Sequence, residues 1–153
     1  MRKIILSLTI LLILLGGSYL FYDFKINKPQ MENLKPLKPK DLDPKSFIAL
    51  FTERYKENSK LNAVTMTGEF PDNWVKAKDV EYLISIMYSK QKCCGYMNIF
   101  SSSMLTDNAE VGGYAIIFLN SYISKTQINL GLNSNPKTDI ESIKKIEKWH
   151  QQI

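Results

Sequence analysis

A chain of 153 residues with 44% apolar and 23% charged side chains suits one folded domain of ordinary size; it is not the composition of a disordered polymer. Its net charge of +5 is unevenly placed: residues 1–60 carry 11 Lys+Arg against 6 Asp+Glu, whereas residues 61–153 carry 9 of each. Gripping a phosphate backbone takes several cations on one folded face, and with a neutral C-terminal part and only Arg2 and Arg54 as arginines, nucleic acid is not an expected partner.

In chain order, Arg2 and Lys3 precede a run without charge from Ile4 to Tyr22. As a helix this run would extend about 28 Å, close to the ~30 Å of a bilayer core. Residues 1–24 are therefore expected to be a membrane anchor, with Tyr19, Phe21, Tyr22 and Phe24 as an interfacial aromatic belt. The competing reading is a signal peptide cleaved near Ser18, after the small residues Gly16 and Gly17. The basic start is expected to stay in the cytoplasm, making the chain a single-pass inner-membrane protein with a periplasmic C-terminal domain. The lysines beyond the span, beginning with Lys25 and Lys28, pull the other way. Four of the six prolines fall between Lys25 and Lys45, so residues 25–43 read as an extended tether.

Residues 44–153 are expected to form a small, mainly α domain of about four helices. Asp43 followed by Pro44 is a helix start, and Phe47, Ile48, Phe51 and Tyr55 recur at helical spacing, predicting a helix over 44–58. Asp79 would cap a second helix with Val80, Leu83, Ile84 and Met87 on one face. Asp107 and Glu110 resemble a capping box before a third helix, whose stripe is Val111, Tyr114, Ala115, Phe118, Leu119 and Tyr122. The glycine pair Gly112-Gly113 costs such a helix ~1 kcal/mol per residue and is explained if another backbone packs closely there. The alternative is a glycine turn feeding a buried strand, "YAIIFLN". Thr138 and Glu141 suggest a capping box for a last helix with Ile140, Ile143, Ile146 and Trp149 inward. The stretch "GYMNIFSSS" is compatible with a strand or a helical turn.

The chemistry on offer is thin. Cys93 and Cys94 are adjacent, and Cα atoms ~3.8 Å apart are closer than the ~4.4 Å a relaxed disulfide requires. No Cys-x-x-Cys spacing is present, and two cysteines with one histidine do not make a structural zinc site. The pair is expected to have one thiol inward and one near the surface, with a thiol-dependent redox protein as the alternative. His150, the sole histidine, sits near a helix end, where the exposed carbonyls favour it. No phosphate loop, nucleophile elbow or metalloprotease motif occurs, so no catalytic residue, cofactor or metal is expected. Trp74, in the loop-rich "FPDNWVK", is the expected anchor for a protein partner.

The succession "DVEYLISIMYSK", a cysteine-bearing segment, a serine cluster and "VGGYAIIFLNSY" resembles the order of elements in small uncharacterised exported or envelope proteins of bacteria. Here the serine cluster reads "SSSMLT", and no arginine follows "NSY". The resemblance implies an envelope location and no particular activity. The resulting expectation is a membrane-anchored envelope protein that works by protein–protein binding, of which an immunity-type protein is the concrete version, and not an enzyme. An accessory subunit of a membrane complex is a further alternative.

Overall fold

The computed structural model describes residues 37–59, 61–102 and 107–152. The expected span from Ile4 to Tyr22 and most of the expected tether lie outside these residues; among the described residues, no helix is long and apolar enough to cross a membrane. In chain order the elements are a 3₁₀ turn Pro39–Asp41, α1 Pro44–Glu53, β1 Ala63–Met66, α2 Ala77–Ile86, β2 Lys92–Cys93, β3 Gly95–Asn98, β4 Ala109–Glu110, α3 Val111–Ser124, β5 Asn133–Ser134 and α4 Ile140–His150.

This corrects the mainly α expectation. Among the described residues the four helices are joined by five short strands, and the domain is mixed α/β. β3 is the centre of a three-stranded sheet, parallel to β1 (Val64 opposite Tyr96, Met66 opposite Asn98) and antiparallel to β5 (Met97 opposite Asn133). A separate ribbon pairs β2 with β4, Cys93 facing Ala109. Parallel strands require a crossover, and α2 supplies it between β1 and β3. None of the strands exceeds four residues, too short a run for a period of two to stand out from its surroundings.

The helices form for the reasons their sequence announces, with shifted ends. Asp43 caps α1, accepting the Ser46 N–H at 2.7 Å, and Pro44 is its first residue, but the helix stops at Glu53. Its inward residues Phe47 and Phe51 stack with ring centroids 3.9 Å apart. In α2, Asp79 lies inside the first turn and its carboxylate accepts the Lys76 N–H at 2.9 Å; the cap position belongs to Lys76. In α4 the cap is Asp139, bonded to the Ser142 N–H at 2.8 Å, in place of the expected Thr138–Glu141 box. Ile140, expected inward, is 64% exposed, while Ile143 and Ile146 are buried.

α3 is the central element, and Val111–Ser124 is helical throughout, which removes the strand alternative. Tyr114, Ala115, Phe118 and Leu119 are fully buried, and the Phe118 ring meets Phe47 at 5.3 Å and Trp74 at 5.0 Å. The Asp107–Glu110 box does not form. Asp107 pairs with Lys137 at 3.1 Å, and the Glu110 carboxylate accepts the Thr138 N–H at 2.9 Å. These contacts bring residues 136–138 against the start of α3. A Cβ on Gly112 would lie 2.5 Å from the Met87 carbonyl oxygen, and one on Gly113 would lie 2.5 Å from the Pro136 carbonyl carbon. The glycine pair is the condition for that approach.

The fold also begins earlier than Pro44. The Leu37 carbonyl accepts the Thr67 N–H at 2.9 Å, just past the end of β1, and Pro39 is buried. Residues 37–43, expected in the tether, therefore belong to the packed domain.

Candidate functional site

Of the residues singled out from the sequence, Cys93, Cys94 and Trp74 are buried in the core. Cys93 and Cys94 are both free and each is 1% exposed, so the expected division into one inward and one outer thiol is corrected. The backbone of Cys94 is held from both sides, its N–H by the Phe51 carbonyl at 2.9 Å and its carbonyl by the Tyr114 hydroxyl at 3.2 Å. Burial pushes the Cys93 thiol up to about 12, and it raises Cys94 as well. Reactive thiols are accessible and ionise easily; these do neither. His150 sits in the last turn of α4 with Nε2 3.7 Å from Glu81 Oε1. Among the described residues no group of three or more His, Cys, Asp or Glu is placed to hold a metal ion.

Trp74 is likewise not a surface anchor. It is 8% exposed, and its indole Nε1–H is shared between the Pro39 carbonyl at 2.9 Å and the Leu42 carbonyl at 2.7 Å. The expectation failed because "FPDNW" reads as an exposed turn, whereas the ring it carries packs edge-on against Phe70 and Phe118.

A different surface stands out. Three runs, residues 61–68, 93–106 and 126–136, contain no Asp, Glu, Lys, Arg or His in a chain that is 23% charged. They supply β1, β3 and β5, so the sheet gathers them together. Where β3 ends, the Asn98 N–H bonds the Leu132 carbonyl at 2.7 Å and the Ile99 N–H bonds the Met66 carbonyl at 2.9 Å. This knot holds three apolar side chains outward: Ile99 is 53%, Phe100 81% and Leu132 59% exposed. The Phe100 N–H is taken by the Asn98 side-chain oxygen at 3.0 Å, and Asn133 reaches the Ser101 hydroxyl at 3.4 Å, so the knuckle is ringed by neutral polar groups that brace its turn.

Beside the knuckle lies a cleft of about 290 Å³ between Gly68–Phe70, the end of β3 and the segment Gln127–Leu132. It opens at the carboxyl ends of the two parallel strands, the edge at which open α/β sheets hold their ligands. Among the described residues, the ionisable side chains on its walls are Glu69 and Tyr96. An apolar patch with its charges removed and a neutral rim has the make-up of the centre of a binding interface. The signal was available in the sequence as the three uncharged runs, but nothing in the sequence says that they meet.

Compared with known proteins, the chain matches no family model, no curated protein sequence and no solved structure, so the geometry of this uncharged end stands on its own.

Proposed function

We propose that the chain is an anchored binding module of the bacterial envelope, docking a protein partner on the uncharged end of its sheet with Phe100 as the central contact. The observation that carries this reading is the exposure of Phe100, 81%, together with Ile99 and Leu132, all on runs of the chain that contain no charged residue. A side chain of that size held in water forgoes roughly 2 kcal/mol of burial free energy, which a partner recovers by covering it. The location rests on the apolar run from Ile4 to Tyr22 and on the resemblance to small envelope proteins. An immunity-type protein that occupies an envelope-acting toxin is the concrete form, and it moves the contact from Trp74 to Phe100.

The test uses the full chain in bacterial membranes with a photo-crosslinking residue at position 100 or, as a control on the charged flank, at position 144. A discrete adduct from position 100 that is absent from position 144 is the expected result, along with loss of toxin protection in Phe100→Ser. Equal adducts from both positions would sink the reading. Paired C-terminal fusions to alkaline phosphatase and green fluorescent protein check the side of the membrane: phosphatase activity without fluorescence is expected. The thiol-dependent alternative has its own readout. Cys93 and Cys94 are expected to react with a thiol reagent near pH 8 only after unfolding, whereas fast labelling of the native chain would restore the redox reading.

A further inference from the structure

The cleft differs in chemistry from the knuckle beside it. Burial alternates from Gln127 to Leu130, so Ile128 and Leu130 turn inward while Gln127 and Asn129 share the outer side. Two residues apart, their Cα atoms are separated by at most about 7 Å. Each amide is half committed. Gln127 donates Nε2–H to the Phe70 carbonyl at 2.6 Å, and Asn129 accepts the Gly131 N–H on Oδ1 at 2.8 Å. That leaves the Gln127 oxygen as a free acceptor and the Asn129 amide as a free donor among the described residues. Asn98 adds an amide that reaches the Tyr96 hydroxyl at 3.4 Å, and Leu132 supplies an apolar wall.

We propose that this cleft binds a neutral saccharide, one sugar unit at a time. The proposal goes beyond the protein-docking role of the knuckle and does not depend on it. An anionic ligand would find no cation among the described residues of the walls, which include no lysine, arginine or histidine. A purely apolar ligand would strip water from the free amide edges without replacing its hydrogen bonds. A sugar hydroxyl both donates and accepts, so a ring with adjacent hydroxyls satisfies a free acceptor and a free donor together, and its C–H face can lie on Leu132. Glu69 at the mouth is exposed and makes no ion pair among the described residues, so it is available as an additional acceptor. At about 290 Å³ the cleft is at the lower end of small-molecule sites, room for a ring and not for a chain of them.

The experiment is saturation-transfer NMR on the full chain in a detergent without a sugar headgroup, with N-acetylglucosamine and methyl glucoside as probes and glucosamine as the cationic comparison. Ring-proton signals are expected from a neutral sugar. They should be roughly tenfold weaker in affinity for Asn129→Ala. Asn129→Asp, which keeps the oxygen that accepts the Gly131 N–H but replaces the NH2 donor with a charged acceptor oxygen, should weaken binding as well. Thermal melts confirm that each variant is folded. Glu69→Gln should retain binding within about twofold, since a neutral amide still accepts a hydroxyl. Phe100→Ser should leave the sugar signal intact, so failure here and failure of the docking role are read separately. Absence of signal from both neutral sugars at tens of millimolar overturns the proposal. So does a preference for glucosamine that disappears in Glu69→Gln, because the cleft would then be a cation site.

Discussion

The flank formed by α2 and α4 and the open end of the sheet both expose apolar side chains, but they treat them differently. On the flank, Tyr88 is 55% exposed, yet its hydroxyl is engaged by Glu147, and Glu81 reaches His150 at 3.7 Å across the same junction. Lys144, Lys145 and Lys148 are exposed along α4, so charge lines the outer surface of this flank. At the sheet end, Ile99, Phe100 and Leu132 have only neutral neighbours in sequence, and no charged side chain in their runs competes for water. The comparison teaches that exposure alone does not mark a contact surface. Exposure where charge has been withheld is the basis of the docking proposal.

That contrast can be broken or sharpened by substitution. The largest effect is expected from Ile146→Ala, which empties a fully buried site beneath α4 and should cost about 2–5 kcal/mol in chemical denaturation. Next comes Gly113→Ala. Its Cβ would collide with the Pro136 backbone at 2.5 Å, prying residues 136–138 from α3, and a loss of about 1–3 kcal/mol is expected. At the other extreme, Phe100→Ser should change stability by no more than about 0.5 kcal/mol while removing the crosslinked adduct. If Phe100→Ser instead destabilises as Ile146→Ala does, the knuckle is packing and the contrast collapses.

Acid supplies a comparison within one titration. Backbone hydrogen bonds hold Asp43 and Glu110 below the ordinary carboxylate range, through the Ser46 and Thr138 N–H groups respectively. A carboxylate with a depressed folded-state value contributes stability that is present above its unfolded value, ~4, and lost as pH falls through the folded one. Stability should therefore decline below about pH 4, with part of the decline absent in Asp43→Asn and Glu110→Gln. Because the three uncharged runs have no carboxylate to protonate, adduct formation at position 100 should persist to lower pH than the native melting temperature does.

The helices were legible because apolar spacing over ten or more residues is a strong pattern, and Asp43–Pro44 announced the first residue of α1, though not its end at Glu53. Gly112-Gly113 was legible too, as a demand for close backbone approach that the Met87 and Pro136 carbonyls meet. The strands were not, since two to four residues carry no readable period and the β1–β3 pairing joins segments separated by a helix. Trp74 was misread for a related reason: a turn-forming sequence says how the backbone bends, not where a ring on it ends up. Phe100 was passed over because its setting, neutral in sequence, becomes a surface only when β1, β3 and β5 are side by side.

The double hydrogen bond from Trp74 to the Pro39 and Leu42 carbonyls has a mechanical corollary. Tension applied to the chain upstream of Leu37 enters the domain through three main-chain carbonyls, two gripped by a single indole and one by Thr67 beside β1. Peeling this short entry strap from the ring would break both hydrogen bonds and open the indole N–H of Trp74 to water. With the second tryptophan, Trp149, replaced by phenylalanine, emission from Trp74 would report that peeling.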